Sequence, residues 1–470
     1  MQRWLVVLGA LLVQVCLGAI YAWGTFVPML KASRAELALM VEPDLLGIDP
    51  QLHANWMAMS KASKKVIAEA TGSARSGAQQ SWSSYLKDEV APDLQVEPEL
   101  WARYQPGFSG VQAKAIFSTA LAVFALVMIF SGRVQDRVGP RPVAMAGCAL
   151  LAIGYGMASL NVSSFPWVLG WIGVVGGAGI GCAYVCPIAA CIKWFPGSKG
   201  PITGLAVAGF GAGAYLFVNL AGSWAGWLQH GGLPMAFRTM GWIFLLVGGL
   251  GASLLANPPS WTAAGASGGD LAGSGPDLEP RGVLGSTTFW LAWMAFVLAS
   301  GAGLMVIGAL KDFAVNEGGL SSGRSEQALG LLALFNGLGR ITWGSLAQRW
   351  GVRTVMIALM GLQMAMLAAL PSLGSNVTGL ALGGCWVGFQ FGGCLATFPL
   401  LTAERFGVRH LGGNYGLMFT AYGVGGIVGP LLAGGLWDWF GSYGGAFWAA
   451  SGACLLASAL IAGIPRSRTA

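Results

Sequence analysis

The sequence predicts an all-α polytopic membrane protein, with twelve transmembrane helices in two six-helix pseudo-repeat bundles and an extracytoplasmic insertion between helices 1 and 2. Three observations carry this expectation. Hydrophobic residues make up 55% of the chain and charged residues 10%, against about 25% charged in an average soluble domain. Apolar runs of about 20 residues, the length that crosses a bilayer core, recur along the chain. A basic decapeptide, GRVQDRVGPR at 132–141, returns as GSLAQRWGVR at 344–353. The 74 glycines and 20 tryptophans fit the same class, because helices in lipid use small residues for close contact and aromatics at the interfaces.

The first span covers 4–30. It imitates a signal peptide, but it runs about 27 apolar residues without an A-x-A cleavage site and reads as a spanning helix. Five more spans follow at 111–131, 142–162, 165–192, 201–226 and 234–256. The second set covers 286–310, 325–346, 354–372, 376–403, 411–434 and 442–463. Residues 1–30 and 111–256 thus make an N-terminal six-helix bundle, and 286–470 a C-terminal one. Between them 257–285, NPPSWTAAGASGGDLAGSGPDLEPRGVLG, is a cytoplasmic linker whose Gly, Pro, Ala and Ser content predicts flexibility.

Residues 31–110 break the pattern and form the insertion, an extracytoplasmic cap that holds ten of the chain's 19 acidic residues. Within it NWMAMSKASKKVIAEA and SWSSYLKDEV read as short helices, and Pro92, Pro98 and Pro106 follow. The cap is a solvated loop domain, a lid over the outer gate, or a docking surface for a protein partner.

Orientation follows from the cations. With the N-terminus in the cytoplasm, one side receives Arg133, Arg137, Arg141, Lys193, Lys199, Arg349, Arg353, Arg405, Arg409, Arg466 and Arg468. The opposite short loops hold Lys311 and Arg324, with Arg238 at a helix start. The positive-inside rule therefore puts both termini in the cytoplasm of a multi-pass protein of the cell (inner) membrane. The net charge of +7 is a topology signal and calls for no nucleic acid. All eight cysteines fall inside apolar segments, so no disulfide framework is visible. Cys182 with Cys186, and Met356, Met360 and Met364, are stripes that suit a soft metal. Membrane packing accounts for them better, and neither a metal nor a cofactor is assigned. No nucleophile–base constellation or phosphate loop points to an enzyme.

Both decapeptides join the second and third spans of a six-helix half, on the same side. That is a parallel repeat about an axis along the membrane normal. The glycines Gly132, Gly139, Gly344 and Gly351 permit tight turns and close approach to neighbouring helix ends. Arg137, Arg141, Arg349 and Arg353 are placed to meet carbonyls at helix C-termini. Asp136 is placed for a helix N-terminus, while its counterpart Gln348 lacks the charge. The repeated element reads as a conformational latch, with a purely topological role as the alternative.

Outside the insertion every carboxylate falls in a loop or near a span end, and so do His53, His230 and His410. One cation goes deeper. Arg340 precedes Arg349 by nine residues, about 13 Å into the membrane at 1.5 Å per residue. Such an Arg costs at least roughly 2.5–3.5 kcal/mol to insert. With no acid nearby, an anionic cargo is an economical partner, because the guanidinium fork fits a carboxylate. Asn336, four residues earlier on the same face, offers a second polar contact. An Arg bonded to backbone carbonyls, or snorkelling to the surface, is the alternative.

The G-x-x-x-D-R-x-G-x-R pattern resembles the loop signature of the major facilitator superfamily. YAWGTFVP (21–28), GIGCAYVCPIAACIKWFPGSKGPITGLAVAGFGAG (179–213), FPLLTAERFGVRHLGGNYG (398–416) and TAYGVGGIVGP (420–430) are similar to the oxalate:formate antiporter family, itself related to the monocarboxylate transporters. The similarity spans everything except the insertion and the linker. It implies that Arg340 matches an anion-facing Arg of the eighth helix, and that Asn336 matches an Asn of bacterial lactate carriers. Where the oxalate antiporter has a second cation, a Lys within a pattern like AKG in its eleventh helix, this chain has AYG with Tyr422. The resemblance further implies a pocket walled by Tyr21, Tyr184, Phe210, Phe391 and Phe419.

The expectation is a secondary active transporter of a small organic anion working by alternating access. A monocarboxylate of the formate, lactate or pyruvate type is favoured over oxalate, with proton symport and anion exchange both open. A membrane sensor or scaffold acting through the cap is the rival from another class.

Overall fold

Twelve long helices run through the described chain: α1 (Gln2–Lys31), α2 (Gly110–Val138), α3 (Pro140–Ala158), α4 (Phe165–Trp194), α5 (Pro196–Trp224), α6 (Trp227–Leu254), α7 (Thr287–Asn316), α8 (Ser322–Trp350), α9 (Val352–Leu373), α10 (Val377–Phe406), α11 (Leu411–Phe440) and α12 (Gly444–Gly463). The computed structural model describes residues 2–32, 37, 41–54, 107–259, 277–316, 322–373 and 376–465, and no strand occurs among them. The short helices read at 55–70 and 81–90 and the linker stretch 260–276 lie outside the described residues. A segment in hydrocarbon must satisfy its own N–H and C=O groups, which a continuous helix does. Eleven of the twelve are long and apolar enough to cross a bilayer. The exception, α8, carries Arg324, Glu326, Asn336, Arg340 and Arg349.

The halves repeat one packing scheme. In the first, α1 packs on α5 and α6, α2 on α4, and α3 on α4 and α6. In the second, α7 packs on α11 and α12, α8 on α10, and α9 on α10 and α12. The halves meet through α2 against α11 and α5 against α8, again equivalent pairs. Glycines make both seams tight: a Cβ at Gly132 would strike the Gly412 carbonyl, and one at Gly200 the Gly344 carbonyl. Further along, Gly416 faces Met128 and Gly423 faces Ala125, while Gly204 faces Arg340 and Gly211 faces Gly337. These approaches run from mid-helix to the end that carries both decapeptides, so that end is closed.

The decapeptides themselves are not loops, contrary to their reading as loops. α2 continues as helix to Val138 and α8 to Trp350, and each turn shrinks to one residue, Gly139 (φ 93°) or Gly351 (φ 81°). A positive φ is strained for any residue with a Cβ, which explains the glycine at the eighth place of both copies. Helices tolerate charge where they leave the hydrocarbon, so the basic residues prolong them instead of ending them.

Two irregularities position the site. α1 tightens into a 3₁₀ turn at Ala19–Ala22 that carries Tyr21. In α4 the hydrogen-bond ladder is interrupted at Tyr184, between Gly177–Ala183 and Val185–Trp194, while its backbone stays helical (φ −60°, ψ −43°). Pro187 causes this break in the ladder, having no N–H for the Ala183 carbonyl and a ring that pushes it aside. Beside this break, Gln14 of α1 donates Nε2–H to the Tyr184 carbonyl at 3.1 Å and ties α1 to α4. At the far end, Glu42 donates its N–H to the Gln229 carbonyl at 3.0 Å and its carboxylate meets His230 Nδ1 at 2.5 Å. His230 therefore lies in the first turn of α6 and not in a loop. The linker's last residues dock on the α10–α11 turn: Leu278 N–H donates to Phe406 at 3.0 Å, and Asn414 Nδ2 to Leu278 at 2.9 Å.

Candidate functional site

Arg340 is fully buried at the seam between the halves. Its Nε donates to Asn336 Oδ1 one turn earlier, at 3.0 Å. Its Nη1 donates across the seam to the Val207 carbonyl of α5, at 2.9 Å. Nη2 has no hydrogen-bond partner. The Phe210 ring faces the guanidinium, with its centroid 5.3 Å from Cζ. Among the described residues no carboxylate pairs with Arg340. The backbone-carbonyl alternative is thus half realised: one amide and one carbonyl orient the fork, and neither neutralises it. In a low-dielectric surround the remaining charge acts at full strength on any anion that enters.

All eight side chains read as pocket residues fall into one connected cluster. Phe210 meets Tyr21 and Tyr184 edge-on at 5.3 and 5.5 Å between centroids. Tyr184 continues to Phe419 at 5.1 Å, and Phe419 stacks on Tyr422 at 4.8 Å. Phe391 approaches Tyr422 at 6.4 Å. The Tyr21 and Tyr422 hydroxyls bond to each other, joining α1 of one half to α11 of the other. Tyr21 is half-buried and the remaining aromatics are buried. Six helices from both halves contribute, which is how a site between two rocking bundles has to be built.

Sequence reasoning missed four contributors. Phe124 packs on Tyr184 and Phe419, and Phe296 on Phe419 and Tyr422. The Val207 carbonyl orients Arg340 and, as backbone, leaves no trace in residue type. Tyr415 was legible in principle: it stands four and seven residues before Phe419 and Tyr422, hence on one face of α11. Behind Phe391 lies a cavity of about 10 Å³ bounded by Gln363, Gln390, Cys394 and Cys454, room for about one water. Cys186 Sγ faces the Cys182 carbonyl at 3.4 Å. Among the described residues no three His, Cys, Asp or Glu side chains are placed to hold a metal ion.

The decapeptide side chains make equivalent contacts in both halves. Asp136 accepts from the Gly412 and Gly413 N–H groups at 3.2 and 2.8 Å, at the N-terminus of α11. Gln348 Oε1 accepts from Gly200 N–H at 3.2 Å, at the start of the regular helix of α5. Free N–H groups and the positive end of the helix dipole favour an acceptor at both places. Arg141 Nε donates to the Leu255 carbonyl at 3.2 Å, at the end of α6. Arg353 Nε donates to Ile464 at 2.8 Å and Nη2 to Ala462, at the end of α12. Gly132 and Gly344 are the seam glycines, Gly139 and Gly351 the turns. Arg137 and Arg349 are exposed and take no part in these bonds.

Comparison with known proteins adds to this geometry. The family model described as Major Facilitator Superfamily matches residues 96–336 and 292–469. The chain is 28% identical over 479 residues to apicoplast pyruvate carrier 1 of Toxoplasma gondii, covering 89% of this chain and 81% of that protein. It is 26% identical over 368 residues to the oxalate:formate antiporter of Oxalobacter formigenes, covering 78% and 82%. Among solved structures, a Major Facilitator Superfamily transporter, FucP, in the outward conformation superposes with TM-score 0.60 at 18% identity, over 77% of this chain and 91% of that one.

Proposed function

The chain belongs to the Major Facilitator Superfamily, a family of membrane transporters, and on that premise we propose that it carries a small organic monocarboxylate by alternating access. The carrying observation is the open Nη2 of Arg340, a buried cation whose other donors are already oriented. A carboxylate arriving there supplies the missing counter-charge through a charge-assisted hydrogen bond. Tyr422 holds the position where the resembling antiporter has its second cation, and its hydroxyl is taken by Tyr21. One cation suits one carboxylate, so formate, lactate and pyruvate fit this site better than oxalate. The likeness to a pyruvate carrier and an oxalate:formate antiporter supports an anion as cargo.

Transport follows from the two seams. Substrate sits midway between the halves, and α1–α6 rock against α7–α12 so that α2–α11 and α5–α8 part at the decapeptide end. Asp136 of α2, bonded to the start of α11, and Gln348 of α8, bonded to the start of α5, latch that end when it is closed. The basic residues there support a reading in which that end and both termini face the cytoplasm. Neutralising Arg340 lets the loaded bundles swing, with either a proton or a second anion completing the cycle. The test is carboxylate uptake into liposomes reconstituted with Arg340→Gln. Uptake is expected to disappear, and transport at the normal rate would remove the foundation of this reading.

A further inference from the structure

The cavity behind Phe391 lies inside the C-terminal half, enclosed by α7, α9, α10 and α12. Two amides reach it from the middle of their helices, Gln363 of α9 and Gln390 of α10. They are 6% and 1% exposed. Three of their polar atoms, Gln363 Oε1, Gln390 Oε1 and Gln390 Nε2, make no hydrogen bond among the described residues. A buried polar atom left unpaired is destabilising, and such atoms are rare unless a water, ion or ligand answers them. The cavity measures about 10 Å³, the space of about one water. Met360, Cys394 and Cys454 bring sulfur to its lining.

We infer that Gln363 and Gln390 bind one water molecule between them, a hydration site that bridges α9 to α10 inside the C-terminal half. The atoms match in number and kind. A water that donates to Gln363 Oε1 and to Gln390 Oε1 and accepts from Gln390 Nε2 makes three bonds, the usual complement of a buried water. A hard cation fits poorly: it takes about six or more oxygen ligands, the amides supply two, and the Nε2–H presents its positive end. A soft metal ion would take the sulfur atoms and leave the amides unanswered. The Phe391 ring closes the cavity on one side and faces Tyr422 at 6.4 Å on the other. It also rests on α7, where a Cβ at Gly303 would overlap the ring. The water therefore sits one ring behind the candidate site and ties α9 and α10 into one body, as rocking halves require. The inference is independent of which cargo the chain carries.

The experiment joins a structure of the purified full chain, at a resolution that shows ordered water, to thermal unfolding of Gln363→Met, Gln390→Met and the double variant. Density for a single water is expected within hydrogen-bond distance of both amides, about 2.7–3.2 Å. A dry cavity, or the two glutamines bonded directly to each other, would overturn the inference. So would a metal-strength peak on Cys394 and Cys454. Methionine keeps the length of glutamine without its amide. Each single variant strands polar atoms on the other glutamine and on the water, and should unfold about 2–4 °C lower than wild type. The double variant removes every protein member of the bridge, so it should unfold at or above the more stable single variant. Losses that simply add in the double variant would give each glutamine a separate role and sink the bridge. Where a variant fails to fold, the wild-type density alone decides.

Discussion

Arg340 on α8 donates through Nη1 to the Val207 carbonyl of α5 at 2.9 Å, so the buried cation of one half is tied to the backbone of the other. The same guanidinium bonds Asn336 at 3.0 Å and keeps Nη2 open. Three directions are served by one rigid plane. A lysine has charge but no fork, and its compact ammonium cannot hold that arrangement. Arg340→Lys is therefore expected to lower carboxylate affinity about 10- to 100-fold, the ~1.5–3 kcal/mol of a charge-assisted hydrogen bond. Titration calorimetry on the detergent-solubilised protein checks this. Full affinity in the lysine variant would mean that charge alone suffices.

Asp136 and Gln348 hold equivalent places on the two seams, yet only Asp136 brings charge to its helix N-terminus. A carboxylate at that position is worth about 0.3–1 kcal/mol, and up to ~2 when partly buried. Asp136→Asn is expected to open the decapeptide end about fivefold more often, and Gln348→Asp to close it further. A single thiol at Met128, buried against Gly416 in the α2–α11 seam, reports the change. In a background with the native cysteines replaced, Met128→Cys should label faster with the first substitution and slower with the second. Equal labelling rates in both would show that neither residue biases the equilibrium.

Much of this was written in the sequence because bilayers read length and charge. Eleven helices carry the apolar run that marks a span, and α8, expected as a span over 325–346, is a helix whose apolar run Arg340 and Asn336 interrupt. Arg340 stood out because no other cation lies so far from a span end, and Asn336 because a spacing of four defines a helix face. The decapeptides were misjudged because charge looks like loop, whereas α2 and α8 simply extend past the hydrocarbon before turning at Gly139 and Gly351. Tyr415 was missed for a different reason. It stands beside Tyr184, which is remote in the chain, and nothing local to α11 announces the pair. Backbone carbonyls such as Val207 leave no signature in residue type at all.

Gly204 tests the α5–α8 seam. A Cβ there would overlap the Arg340 carbonyl and lie 3.0 Å from Ile341 Cα, both backbone atoms that cannot turn away. Gly204→Val should push α5 from α8, lowering stability by about 1–3 kcal/mol as overpacking does, and stop uptake. Gly361 on α9 has nothing within 4 Å of the same position, so Gly361→Ala is the control and should leave uptake intact. Thermal unfolding and uptake of the two variants settle the matter. A functional Gly204→Val protein would show that the seam need not close this tightly.

Tyr422 decides how many carboxylates the site accepts. The side chain is 1% exposed, stacked on Phe419 at 4.8 Å, with its hydroxyl bonded to Tyr21. Tyr422→Lys exchanges a neutral phenol for an ammonium in the same enclosure as Arg340. Two buried like charges repel, so the variant is expected to be less stable without ligand and to gain more from a dianion than from a monoanion. Oxalate should then compete with the transported acid at least about tenfold better than in wild type, since each charge-assisted contact contributes ~1.5–3 kcal/mol. Tyr21→Phe breaks the same hydroxyl pair without adding charge, and it should leave oxalate competition where it was. If Tyr422→Lys and Tyr21→Phe respond alike to oxalate, the effect belongs to the broken contact between α1 and α11, and Tyr422 does not count charges at the site.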